Sequence, residues 1–208
     1  MIIIGYSGHA FVVCGILKAA GQPLSGYCDK EEKKLNPYGL PYFGTEFSEP
    51  ALAAMKKNGC FIAIGDNLLR DTIYEQLSLK GIRSFNAIHP SAVVDPLAQV
   101  AAGGVMIAAN VSINPLAKIG MGVICNTGCI IEHECVVEDF AHIGPGAVLC
   151  GNVRVGRRSF VGANAVIRQG ITIGDNATIG AGAVVVKNVP NNVTVVGVPA
   201  SLTFATQK

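Results

Sequence analysis

The chain contains no tryptophan, and only 6% of its 208 residues are aromatic. A core built on large rings is excluded, and burial has to come from aliphatic side chains. Charge is scarce too: 14% of residues are charged, and 16 cations against 14 anions leave a net charge of +2. So small an excess does not recruit nucleic acid or insert the chain at an anionic membrane. No apolar run approaches the ~18 residues needed to cross a bilayer. Met1–Ile4 enters an apolar strand directly, with no basic region or cleavage site before it, so no signal peptide and a cytoplasmic setting are expected. The seven cysteines lack short paired spacing and read as buried reduced thiols rather than disulfides. Histidine is rare as well; the chain has His9, His89, His133 and His142.

What is abundant is a beat of six. From Ile107 a branched aliphatic residue returns at 113, 119, 131, 137, 143, 149, 155, 161, 167, 173, 179 and 185, with only Cys125 interrupting the series. Neither a helix (period 3.6) nor a flat strand (period 2) produces this spacing, whereas a chain wound as a triangular coil does. Small residues such as Ala117, Cys129, Ala141, Ala147 and Ala165 stand two positions before the beat, and glycine often follows it. This is the hexapeptide pattern of a parallel β-helix. Three hexads make one turn, so Ile119, Val137, Val155 and Ile173 stack on a first face. Cys125, Ile143, Val161 and Ile179 stack on a second, and Ile131, Leu149, Ile167 and Val185 on a third. Ile88, Val94 and Val100 keep step with one another but lie one residue out of phase with Ile107, which predicts a one-residue insertion within 101–106.

Residues 1–87 lack the beat and read as a small α/β unit; 88–190 form the coil and 191–208 a C-terminal cap or tail. In the first unit, Met1–Ile4, Leu24–Cys28 and Cys60–Ile64 are expected strands. A first helix is expected to bury Val12, Val13, Ile16, Leu17 and Ala20 and to end at Gly21. A second starts at Ser48 and ends near Gly59; a third, capped by Asn67, presents Leu69, Ile73 and Leu77. Alternating strands and helices imply a Rossmann-like parallel sheet, whose ligands settle beyond the carboxyl ends of its strands. Those ends are Gly5–His9, Asp29 and Gly65, three segments that should converge. Gly5-Tyr6-Ser7-Gly8-His9 has the form of a phosphate-cradling turn at a helix N-terminus. Ser7 stands where a dinucleotide fingerprint needs its second glycine, which argues against NAD and leaves a sugar nucleotide open.

Within the coil, Glu132-His133-Glu134 puts an imidazole between two carboxylates in a region otherwise poor in charge. Ile131 and Val137 take the inward positions, so His133 belongs outside or at a corner. A neighbouring carboxylate raises imidazole basicity and fixes its tautomer, which suits a general base. A solvated ion pair on a corner fits the same residues. His142 lies half a turn further on, on a different side of the prism, so the two imidazoles would line one cleft only between subunits. Asn126 is available for hydrogen bonding there or for holding turn backbone.

Several segments carry a resemblance over nearly the whole chain: Gly-Tyr-Ser-Gly-His at 5–9, Ile-Ala-Ile-Gly-Asp-Asn at 62–67, Asn-Thr at 126–127, Ile-Glu-His-Glu-Cys at 131–135, Gly-Asn-Val at 151–153 and Val-Gly-Val-Pro-Ala at 196–200. The chain resembles the hexapeptide-repeat acyltransferases, in the branch of nucleotide-linked amino-sugar N-acetyltransferases of the bacillosamine and perosamine pathways. The resemblance implies a left-handed coil, against the usual right-handed rule for parallel crossovers. It implies that His133 is the general base and that Glu134 enhances its basicity. Ser7, Gly8, His9, Asp29 and Gly65 would hold the UDP- or GDP-linked sugar, with Asn126 counted among the substrate contacts. His142 and Gly151 would contact acetyl-CoA, whose pantetheine arm would pass Ala163 and Ala181 between two subunits of a homotrimer. No metal is implied. O-acetyl transfer to a sialic acid or another sugar fits the same residues. A non-catalytic coil would leave the Glu-His-Glu cluster unused, and a zinc hydratase would want three imidazoles where only His133 and His142 offer themselves.

Overall fold

The computed structural model describes residues 1–203. Its first strand, β1 (Ile2–Ile4), lies between β2 (Gly26–Cys28) and β3 (Cys60–Ile62), all parallel, with Ile3 opposite both Tyr27 and Phe61. These strands are shorter than the apolar runs that announced them. Helix α1 (Gly8–Ala19) covers one face of the sheet; α2 (Glu49–Asn58) and α3 (Asn67–Leu79) cover the other. Since β2 and β3 flank β1 on opposite sides, the connections diverge beyond Ile4 and Ile62, which opens a crevice at the carboxyl ends.

The helix ends follow local chemistry. Ser48 caps α2, its hydroxyl accepting from the Ala51 amide at 3.4 Å, and Gly59 ends it at φ +65°. Asp66, not Asn67, caps α3: its carboxylate accepts from the Leu69 amide at 2.7 Å, and Asn67 is the first helical residue. Two expected helix faces are rotated. Val12 is exposed, and α1 buries Ala10, Val13, Cys14, Ile16 and Leu17. Leu69 is exposed as well, while Arg70 and Asp71 join Ile73 and Leu77 inside. Hydrophobic spacing alone misplaced these faces because each of these two helices has two neighbours, the sheet and the coil, and for α3 the second is polar backbone.

From Ala87 the chain winds into a parallel β-solenoid of two-residue rungs, the left-handed β-helix of hexapeptide repeats. Val137 pairs with Ile119 below and Val155 above, and the other two faces repeat the arrangement. The beat residues point inward and are buried from Ile107 to Val185. Corner residues turn the chain at positive φ. Glycine and asparagine occupy many of these positions, and Glu134, Phe140 and Arg158 adopt the same conformation near φ +60°. The expected insertion is present: Ile88 and Ile107 are partners nineteen positions apart, whereas Ile107 and Cys125 are eighteen apart. The extra residue loops through Gly103, where a Cβ would come within 2.5 Å of the Tyr74 hydroxyl.

The outward sides of the three faces differ. The second is roofed by the α/β unit, with Met106 and Ile124 fully buried beneath it. The first carries Gln99, Lys118, Val136, Arg154 and Thr172. The third carries a half-buried aliphatic stripe of Ile130, Val148, Val166 and Val184. Beyond the coil, Thr194–Val196 extends the second face and Ser201–Leu202 pairs with it antiparallel. Residues 204–208 of the expected cap lie outside the described residues. Among the described residues no helix is long and apolar enough to cross a membrane, and all seven cysteines are free thiols, six of them buried.

Candidate active site

Gly5 turns the chain after β1 at φ +80°, where a Cβ would lie 2.9 Å from the Ile64 side chain. The next residue, Tyr6, is buried and stacks on Tyr27 with ring centroids 4.1 Å apart. Its backbone amide donates to Asp29 Oδ2 at 2.8 Å. The other Asp29 oxygen accepts from the Lys30 amide at 2.7 Å and pairs with Lys33 Nζ at 3.1 Å. Both carboxylate oxygens therefore hold the loop in shape. Ser7 and Gly8, exposed at the start of α1, keep the first helical N–H groups uncovered, since the Ser7 side chain makes no capping bond. A cleft of about 300 Å³ opens beside them, lined by Ser7, Gly8, Phe11, Lys33, Lys34 and Leu35. Helix N–H groups next to two lysines favour an anionic ligand.

His9 extends from this loop toward the coil, its ring centroid 6.2 Å from that of His142. His142 points outward on the second face and is only 8% exposed, edge-on to Phe160 at 5.0 Å. Its Nε2 meets the Asn126 amide nitrogen at 3.1 Å, so that nitrogen is the acceptor and Nδ1 carries the proton. Burial, then the Arg70 guanidinium and His9, push the His142 imidazole down to about 3. Burial and Arg70 lower that of His9. Asn126 Oδ1 accepts from the Thr127 amide at 2.8 Å, which leaves one side-chain N–H unclaimed. Gly65 closes the group at the end of β3, beside a second cleft of about 310 Å³ lined in part by Asn67, Arg158, Phe160 and Thr178. Above Asn126, along the corner between the second and third faces, lie half-buried Ala163 and exposed Ala181. A glycine precedes each, and the absence of a side chain lets successive turns stack closely there: a Cβ on Gly162 would meet the Ala181 amide at 2.5 Å.

His133 stands elsewhere. It occupies the corner between the third and first faces, its side chain 51% exposed, with Nδ1 3.2 Å from Glu134 Oε2. The imidazole lies over Gly151, one turn on, where a Cβ would come within 2.5 Å of Cε1 and 2.6 Å of Nε2. The fold thus gathers Ser7, Gly8, His9, Asp29, Gly65, Asn126 and His142 at one place, and His133, Glu134 and Gly151 at another. In a triangular prism the corner between the third and first faces is opposite the second face, which bears the α/β unit. Neither cluster reaches the other within one chain. Among the described residues no group of three or more His, Cys, Asp or Glu is placed to hold a metal ion. Sequence reasoning missed Arg70, Lys33, Lys34 and Phe160 and read Asn67 only as a helix cap and part of a shared segment; the only signal for Arg70 was an arginine flanking apolar helix positions.

Comparison with known proteins finds relatives for both units of the chain. Residues 1–77 match the PglD N-terminal domain, residues 134–169 the bacterial transferase hexapeptide, and residues 152–187 the hexapeptide repeat of succinyl-transferase. The structure of PerB from Caulobacter crescentus in complex with CoA and GDP-perosamine superposes with a TM-score of 0.90 at 39% identity, covering 98% of this chain and 96% of that one. The acetyltransferase domain of PglB from Neisseria gonorrhoeae, in complex with acetyl coenzyme A, gives 0.88 at 32% identity, covering 97% and 98%. A GDP-perosamine N-acetyltransferase of Escherichia coli is 32% identical over 134 residues; the match spans 56% of this chain and 60% of that relative.

Proposed function

The chain belongs to the hexapeptide-repeat nucleotide-amino-sugar N-acetyltransferases, and from that premise we propose that it moves the acetyl group of acetyl-CoA onto the amine of a GDP-linked amino-deoxy sugar, in a homotrimer whose sites lie between subunits. The observation that carries the reading is the placement of an exposed Glu-paired imidazole at the prism corner opposite the α/β unit. A second copy has to bring the two clusters together. The uncovered aliphatic stripe on the third face, between the His133 corner and the Asn126 corner, is the surface such a copy would bury.

In that assembly the diphosphate of the sugar nucleotide lies at the start of α1, against the Ser7 and Gly8 amides and Lys34, with the base in the Phe11–Leu35 part of the cleft. The pantetheine arm of CoA follows the Ala163–Ala181 corner, and Asn126, held by neutral His142, offers its free N–H to the acyl group. Glu134 fixes the proton of His133 on Nδ1, leaving Nε2 to accept one. The sugar amine attacks the thioester carbonyl carbon, and Nε2 takes a proton from the nitrogen. The tetrahedral oxyanion is steadied by N–H donors until the C–S bond breaks. The imidazolium then returns its proton to the departing CoA thiolate. Dependence on acetyl-CoA and seven reduced thiols fit a cytoplasmic setting.

The test is CoA release from acetyl-CoA with a GDP-linked 4-amino-4,6-dideoxy sugar, run beside its UDP counterpart and a sialic acid. The GDP sugar is expected to turn over fastest, and His133→Ala to lower kcat/KM by about 10²–10⁴-fold. Transfer to the sialic acid hydroxyl alone, or normal turnover in an assembled His133→Ala protein, contradicts the reading.

A further inference from the structure

Helix α3 meets the coil along the corner between the first and second faces. Gly122, Phe140 and Arg158 recur there eighteen residues apart, each near φ +60°, on three successive turns. In this conformation their carbonyls become available to α3. Arg70 Nε donates to the Gly122 carbonyl at 2.8 Å, and Arg70 Nη2 donates to the Phe140 carbonyl at 2.8 Å. Asn67 Nδ2 donates to the Arg158 carbonyl at 2.9 Å and to that of Ser159 at 3.2 Å. The remaining edge of the guanidinium donates back into the α/β unit, to the Ile64 and Gly65 carbonyls at 3.0 and 3.2 Å and to Asn67 Oδ1 at 2.8 Å. Arg70 is 1% exposed, and no carboxylate contacts it among the described residues. Its fork is spent on carbonyls from both units. Beside it, Asp71 receives Arg157 Nη2 at 2.7 Å on both oxygens, and the Arg157 guanidinium lies 5.2 Å from the centre of the Phe140 ring.

We propose that Arg70, with Asn67, is a positioning residue that sets the height of the sugar-nucleotide loop along the coil, by gripping three stacked corner carbonyls with one side of the pair and the Ile64–Gly65 backbone with the other. Gly65 lies beside His142 and, through it, Asn126, so a shift of one rung would separate the sugar-nucleotide cleft from the acyl corner. The rigid guanidinium suits this role because it offers five N–H donors in a fixed fork, whereas an ammonium offers one point charge. Hydrogen bonds weaken steeply away from their preferred distance and angle, so a displacement of α3 by a fraction of a rung breaks the grip of Arg70 and Asn67 on all three carbonyls together. Which three turns are gripped is set by the Arg157–Asp71 pair, because the equivalent positions one turn below and one turn above Arg157 are Asp139 and Asp175.

The inference rests on the acetyltransferase reading, and the experiment separates the two. KM for the GDP-amino sugar and for acetyl-CoA, together with kcat, are measured for wild type, Arg70→Lys, Arg70→Met and Asn67→Ala, with trimer content and CoA-dependent thermal shift recorded for each. Wild-type turnover tests the reading itself. The inference predicts that the assembled variants raise KM for the sugar nucleotide by about 10-fold or more, leave KM for acetyl-CoA within about 2-fold, and gain nothing from the lysine. Full rescue by Arg70→Lys, or parallel loss of both affinities in step with thermal stability, overturns it. Should the Arg70 variants fail to assemble, Asn67→Ala decides the matter: an unchanged sugar-nucleotide KM contradicts the inference.

Discussion

A methyl group at position 151 has no room. The His133 imidazole occupies the space that a side chain there would need, with Cε1 and Nε2 both inside contact distance of a Cβ. Gly151 is not at a positive-φ position, so its backbone tolerates alanine and only the ring has to move. Gly151→Ala is therefore expected to keep the fold and thermal stability while lowering kcat by about 10²-fold, the usual cost of displacing a reacting group by an ångström. Steady-state kinetics beside a melting curve check this; normal kcat contradicts the placement of His133 over Gly151. The resemblance put Gly151 among the CoA contacts, and the structure adds that it underlies the imidazole. His133 and Glu134 were legible because charge is rare in this coil. Arg70 was not, since an arginine within a helix reads as solvated until the carbonyls that receive it are seen, and those come from residues 52 and 70 positions away.

Between elements, the informative contact is the α/β unit on the second face of the coil, where half-buried His9 meets buried His142. A free imidazole titrates near about 6.5, and that of His142 is held down to about 3. Below about pH 6.5 the unfolded chain binds a proton that the folded chain refuses, so acid destabilises the fold until the folded value is passed. The slope from this group is about 1.4 kcal/mol per pH unit at most. Melting temperatures from pH 7.5 to 4 should fall more steeply for wild type than for His142→Gln, and equal slopes contradict the assigned environment. The rungs were fully readable because the six-residue period depends only on inward packing. The helix faces of the α/β unit were less so: Val12 and Leu69 obey helical spacing yet face solvent, since spacing shows that a face exists but not which neighbour it meets.

For the whole molecule, the prism geometry matters most. Period and phase locate His133 on a corner, but only the docked α/β unit reveals that this corner is opposite the face bearing the crevice beside α1. The winding sense came from resemblance rather than from spacing. Complementarity between chains is the central claim, and mixed trimers test it directly. Gly8 has no atom within 4 Å of where a Cβ would lie, so Gly8→Trp fills the cleft beside α1 without disturbing packing. His133→Ala and Gly8→Trp should each be inactive alone. Unfolded together in equal amounts and reassembled, they should recover about a quarter of wild-type acetyl transfer, because that share of sites pairs an intact His133 with an intact Gly8 from the neighbouring subunit. Activity no higher than the sum of the two parent trimers, in mixtures shown by native mass spectrometry to have exchanged subunits, would mean that each chain completes its own site and would contradict the account.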